Sequence, residues 1–170
     1  PAALTTGTFT KNVFYAGGIS AEDQFSQSAG SRYQSLYLAR DMKGAGKITS
    51  ISYKYFDNNV TAVVSCPNAT IKMGHTQVNT LSNTFANNVA NGRGSVQTVI
   101  SSAPVTIPAG STGSYYTINL TEPFYYNGVD NLVVEVSRGA ACTSEVGTVA
   151  NVSSPSYNAI LRSNASSTAT

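Results

Sequence analysis

Residues 116–136, YTINLTEPFYYNGVDNLVVEV, set the terms for any fold this chain can adopt. Tyr116, Ile118 and Leu120 alternate with Thr117, Asn119 and Thr121, and Leu132, Val134 and Val136 alternate with Val133 and Glu135. A period of two belongs to strands with one dry face and one wet face, because successive side chains leave a pleated backbone on opposite sides. Pro123 and the Asn127-Gly128 pair punctuate the connection, so the stretch reads as two strands of a hairpin.

The same pattern recurs along the chain. Residues 8–16, 33–39, 48–56, 61–65, 69–76, 96–100, 104–107 and 157–162 read as further strands, separated by Gly, Asn, Pro and Ser turns. No convincing helix is predicted, a single helical turn within residues 21–31 being the alternative to a loop there. Residues 21–31 and 79–94 are polar and rich in small residues and read as long loops, the places where a rigid scaffold usually carries binding. About ten short strands indicate an all-β fold, a single jelly-roll-like β-sandwich. A length of 170 residues, with no internal repeat or Pro-rich linker, fits one domain over 1–170. A domain of that size buries roughly 70% of the surface its unfolded chain exposes, so one sizeable core is available.

Only 11% of the residues are charged, so Ser, Thr, Asn and Tyr must build the solvent face. Such a surface suits a secreted or cell-surface β protein. The ten basic residues are scattered and the net charge is +2, which leaves no stripe to neutralise phosphates and makes nucleic acid an unexpected partner. No apolar run approaches the roughly 20 residues a membrane span requires. With Pro at position 1 and no signal peptide, a processed mature chain or a trimmed one is expected.

Cys66 and Cys142 have no CxxC spacing and no histidine beside them, so a metal site is not expected. A disulfide is the natural reading in this composition; two unlinked buried thiols are the alternative. The one histidine, His75, shares a strand face with Ile71 and Met73 and reads as a structural residue at the end of a buried face. The eight acidic residues form no recognisable catalytic pair, and no cofactor is implied. The Asn/Asp clusters at 57–59 and 127–131 offer oxygen atoms of the kind calcium takes, but Asn and Asp also dominate turns. Gly44-Ala45-Gly46-Lys47 lacks the residues a phosphate loop needs, with Ile48 where Ser or Thr belongs.

Five glycosylation triplets start at Asn59, Asn68, Asn119, Asn151 and Asn164, and fifteen asparagines in a Ser/Thr-rich chain make several expected by composition alone. The ten tyrosines include adjacent pairs at Tyr115-Tyr116 and Tyr125-Tyr126, and strand geometry sends one ring of each pair inward and the other outward.

Four motifs, SLYLA at 35–39, ITSISY at 48–53, IKMGHT at 71–76 and PFYYNGVDNLVVEV at 123–136, follow one another in order. Together they resemble the successive strands of a jelly-roll-like β-sandwich module of secreted bacterial cell-surface proteins, over about residues 30 to 137. The resemblance implies a fold and no catalytic residues. The chain departs from it in an N-terminal strand of its own and a further strand beyond Arg138.

These readings point away from an enzyme. The leading expectation is an extracellular structural subunit that polymerises with itself into a fibre, pilus-like filament or surface layer. Residues 1–16 would join an open sheet edge of a neighbour, with Leu4, Phe9, Val13 and Tyr15 at the subunit interface. The alternative is a carbohydrate-binding or adhesive module that meets cell-surface glycans through its tyrosines. A hydrolase ranks last. An intramolecular Lys–Asn crosslink, Lys54 or Lys72 to Asn131 with Glu135 assisting, is a further option.

Overall fold

The computed structural model describes residues 25, 30–42, 44–55, 60–90, 96–144, 146 and 160–163. Seven strands and one short helix appear among them: β1 Ser31–Tyr37, β2 Gly46–Lys54, β3 Val64–Thr76, α1 Phe85–Ala90, β4 Gln97–Ile107, β5 Tyr115–Tyr126, β6 Asn131–Arg138 and β7 Ile160–Ser163. They form two sheets, one of five strands in the order β4-β3-β6-β1-β7 and one of two strands, β2 and β5. The chain is an all-β sandwich. The predicted strand at residues 8–16 lies outside the described residues.

Two pairs of expected short strands become single longer ones. Residues 61–65 and 69–76 belong to a single β3, and 96–100 and 104–107 to a single β4. The prolines that suggested breaks sit where a sheet tolerates them. Pro67 falls in a register irregularity, between the pairs Cys66↔Val105 and Ala69↔Ala103, and Pro104 lies on β4, an edge strand. Asn68 and Ser102 take positive φ of 55° and 45° at these irregularities, conformations that let each strand bend and continue.

The stretch 116–136 is not a hairpin. β5 pairs with β2, and β6 pairs with β1 and β3, so the connection carries the chain from one sheet to the other. Asn127 holds that crossing together: its side-chain Oδ1 accepts from the backbone N–H groups of Val129 and Asp130, both at 3.0 Å, and its Nδ2 donates to Asp130 Oδ2 at 2.7 Å. The asparagine and aspartate oxygens of this turn are engaged in the turn's own bonds, the role that makes Asx residues common there.

β5 behaves as its alternation predicts. Tyr116, Ile118, Phe124 and Tyr126 are buried, and Thr117, Asn119 and Tyr125 are exposed. β6 does not: Leu132, Val134 and Val136 enter the core between the sheets, but Val133 and Glu135 are buried as well. Val133 packs with Leu36, Leu38 and Leu81 in a second, smaller apolar cluster, joined by Val78 and Val89. Residues 79–94 are expected as a long loop, but their described part, 79–90, contributes Leu81 and Val89 to this outer face and contains α1.

The main core is rich in aromatic rings. Tyr55 and Tyr116 lie 4.9 Å apart between centroids, and Phe25 meets Tyr53 and Tyr116 edge-on at 6.0 and 6.2 Å. Phe25 comes from the stretch read as a polar loop, yet it is fully buried. Burial pushes the phenols of Tyr53 and Tyr116 well above their ordinary range, so these rings serve packing in their neutral form.

Candidate assembly edge and binding face

Cys66 on β3 and Cys142, four residues beyond the end of β6, form a disulfide. The chain around it is tied to β3 as well: Thr143 N–H donates to Ser65 O at 2.9 Å, and Ser65 N–H to Thr143 Oγ1 at 3.0 Å. Buried Arg138 completes the corner, donating to Ala140 O, Cys142 Sγ and Ser31 Oγ. A few residues on, Val146 bridges Phe25, whose ring wedges into the tyrosine cluster. The disulfide thus anchors the neighbourhood of Val146, against which this core plug is bridged.

On the outer face of the five-stranded sheet, Glu135 Oε2 accepts from Gln34 Nε2 at 2.7 Å and from Arg32 Nη2 at 3.0 Å. Gln34 also donates to Phe85 O and accepts from Asn88 Nδ2 at 2.8 Å, and Asn88 in turn binds both backbone groups of Ser82. The Arg32 guanidinium lies over the Phe85 ring, 4.5 Å from its centroid. This network fastens α1 to the sheet and satisfies a carboxylate that is 4% exposed. Sequence reasoning missed it, although two polar residues inside apolar strands, Gln34 and Glu135, were its visible sign.

His75 stands at the rim between the sheets, stacked on Tyr126 at 5.7 Å and close to Phe124 at 5.0 Å. Its Nε2 accepts the backbone N–H of Asn127 at 3.0 Å, so that nitrogen carries a lone pair and the neutral ring holds its proton on Nδ1. Burial lowers the His75 pKa below its ordinary value, with the Asp130 carboxylate pulling the other way. A histidine whose folded pKa is depressed contributes stability above its unfolded value and loses it as pH falls, here from about 6.5 downward. Thermal unfolding between about pH 7.5 and 5 should therefore show a declining Tm. His75→Gln, whose carbonyl accepts from Asn127 at any pH, should flatten that decline; equal slopes would contradict this role.

Among the described residues, no three His, Cys, Asp or Glu side chains converge as a metal site would require. Lys72 stands opposite Glu135 in the β3–β6 register, and Asn131 is four residues further along β6, about 13 Å away. Asn131 is committed elsewhere, accepting from Ala39 N–H and donating to Val78 O and Asn79 Oδ1, while Lys54 is on β2 opposite Tyr115. The Lys–Asn crosslink is therefore not assembled. Of the glycosylation triplets, Asn68 and Asn119 are exposed; Asn59, Asn151 and Asn164 lie outside the described residues, as do Leu4, Phe9, Val13 and Tyr15.

The two-stranded sheet presents the remaining features. β2 and β5 pair with each other and, among the described residues, with no further strand, so each offers a backbone edge. β5 carries Pro123 and β4, an edge of the larger sheet, carries Pro104, whereas β2 has no proline over nine residues. The solvent face of this sheet displays Tyr115 and Tyr125, at 49% and 56% exposure. Lys54 stands opposite Tyr115 and Lys47 opposite Tyr125, with Ser52↔Thr117 and Ser50↔Asn119 between them. Ser52 and Thr117 share a hydroxyl hydrogen bond of 2.8 Å across the strands.

No family model, curated protein or solved structure matches this chain. Its edges and faces must supply any functional reading. No helix among the described residues is long and apolar enough to cross a membrane.

Proposed function

We propose that this chain is an extracellular structural subunit that assembles with copies of itself into a fibre, pilus-like filament or surface layer by β-strand addition. The observation that carries the reading is the edge of β2 that no other strand among the described residues meets, in a sheet of two described strands. An unpaired strand edge is a template for another strand, since its N–H and C=O groups can be met by any extended backbone. The occupant is residues 1–16 of a neighbouring subunit. Phe9, Val13 and Tyr15 recur at even spacing there and would share one face of an added strand. Main-chain hydrogen bonds would give affinity, and those alternating side chains would set the register.

The low-charge surface, the disulfide and the jelly-roll-like resemblance to secreted surface modules support the same placement outside the cell. Deleting residues 1–12 tests the mechanism. The truncated chain should stay folded, with a cooperative melt, and sediment as a monomer. Persistent assembly would contradict strand addition by this segment. An unfolded product would contradict it too, by placing the segment within its own domain.

A further inference from the structure

The solvent face of the β2–β5 sheet is separate from its edge, and we propose that it docks an extended acidic polysaccharide. Exposed aromatic rings are unusual on so polar a surface, and here two of them share one face with a lysine directly opposite each. A tyrosine ring offers an apolar plane to the C–H face of a sugar. The neighbouring ammonium, a compact charge on a flexible stem, meets a carboxylate or sulfate on the same sugar.

The pairs are Tyr115 with Lys54 and Tyr125 with Lys47. Ser52, Thr117 and Asn119 fill the interval with hydroxyl and amide groups suited to sugar hydroxyls. The charge balance of the face favours an anion, Lys47 and Lys54 outweighing the single exposed carboxylate of Glu122 on these strands. Length decides for a polymer. The paired lysines are seven residues of β2 apart, with the extra residues of β5 taken up in a register irregularity between them, so the two pairs stand roughly 23 Å apart and only an extended chain engages both at once. Joining two weak sites in this way raises affinity well beyond that of either alone.

Affinity electrophoresis of the full chain in gels containing polygalacturonate, or neutral dextran of matched length, tests the proposal. Polygalacturonate should retard the protein and dextran should not, and added salt should release it. Tyr115→Ala with Tyr125→Ala should weaken binding by more than about tenfold, and Lys47→Gln with Lys54→Gln by a similar factor. All four side chains project from the solvent face, so an unchanged Tm shows that the variants are folded. Equal retardation by both polymers, or undiminished binding by the double variants, would overturn the proposal. Loss of self-assembly with polygalacturonate binding intact would also overturn it and make the face a subunit interface. Because strand addition uses the sheet edge, failure here leaves the assembly reading standing.

Discussion

Replacing Cys66 and Cys142 together by alanine should cost about 4 kcal/mol and lower the Tm by about 10 °C. The bond joins positions 76 residues apart, and a loop of that length restricts the unfolded chain strongly. Such a loss is a large fraction of the 5–15 kcal/mol typical of a domain. The folded state depends on the same bond, because the segment after Cys142 leads to Val146 and the Phe25 bridge over the tyrosine cluster. Reductant should lower the wild-type Tm to the same extent and leave the double variant unmoved. A shift below about 2 °C would mean that the backbone bonds of Ser65 and Thr143 hold this corner unaided.

Gly128→Ala should be nearly as damaging, costing about 3 kcal/mol. Gly128 has a φ of +76°, which alone penalises an L side chain by roughly 1–2 kcal/mol. An added Cβ would also collide with the backbone nitrogen of Ala45 and come within 2.9 Å of the Gly44 carbonyl carbon. Backbone cannot swing away as a side-chain tip can, so overpacking adds about 1–3 kcal/mol. Two control glycines separate the effects. Gly44, with a φ of +82° and nothing within 4 Å of the added atom, should show the conformational cost only, and Gly139, open and without positive φ, should change by less than about 1 kcal/mol. Urea midpoints that fail to rank Gly128 above Gly44 above Gly139 would contradict the tight sheet crossing.

The contrast between β5 and β6 explains what could be read in advance. β5 has water on one side and core on the other, so its burial is written in its sequence at period two, and Tyr115-Tyr116 and Tyr125-Tyr126 each divide as expected. β6 is covered on both sides, and a strand without a wet face carries no such record; Glu135 looked like a solvent residue because its partners Gln34 and Arg32 lie about a hundred positions away in the chain. The Asn127-Gly128 turn was legible as a turn. Whether it returns a strand to its own sheet or sends it to the other depends on distant partners, β2 in one case and β1 and β3 in the other.

Local signals were also too weak to mark α1. Its six residues, FANNVA, carry no acidic residue in the first turn and no basic residue in the last. So short a helix draws its stability from tertiary contacts, here Phe85 under Arg32 and Asn88 bonded to Gln34. The disulfide and the division of each tyrosine pair into one inward and one outward ring were anticipated from composition and alternation. The lysines opposite the tyrosines, and a β2 edge that no other described strand meets, became visible only once the register was known.

Self-assembly is the central claim, and electron microscopy of the full, oxidised chain at near-physiological salt tests it most directly. The account predicts filaments or ordered layers with a regular repeat, absent from a preparation lacking residues 1–12. Dispersed particles at every concentration, from the full chain and the truncated one alike, would contradict it.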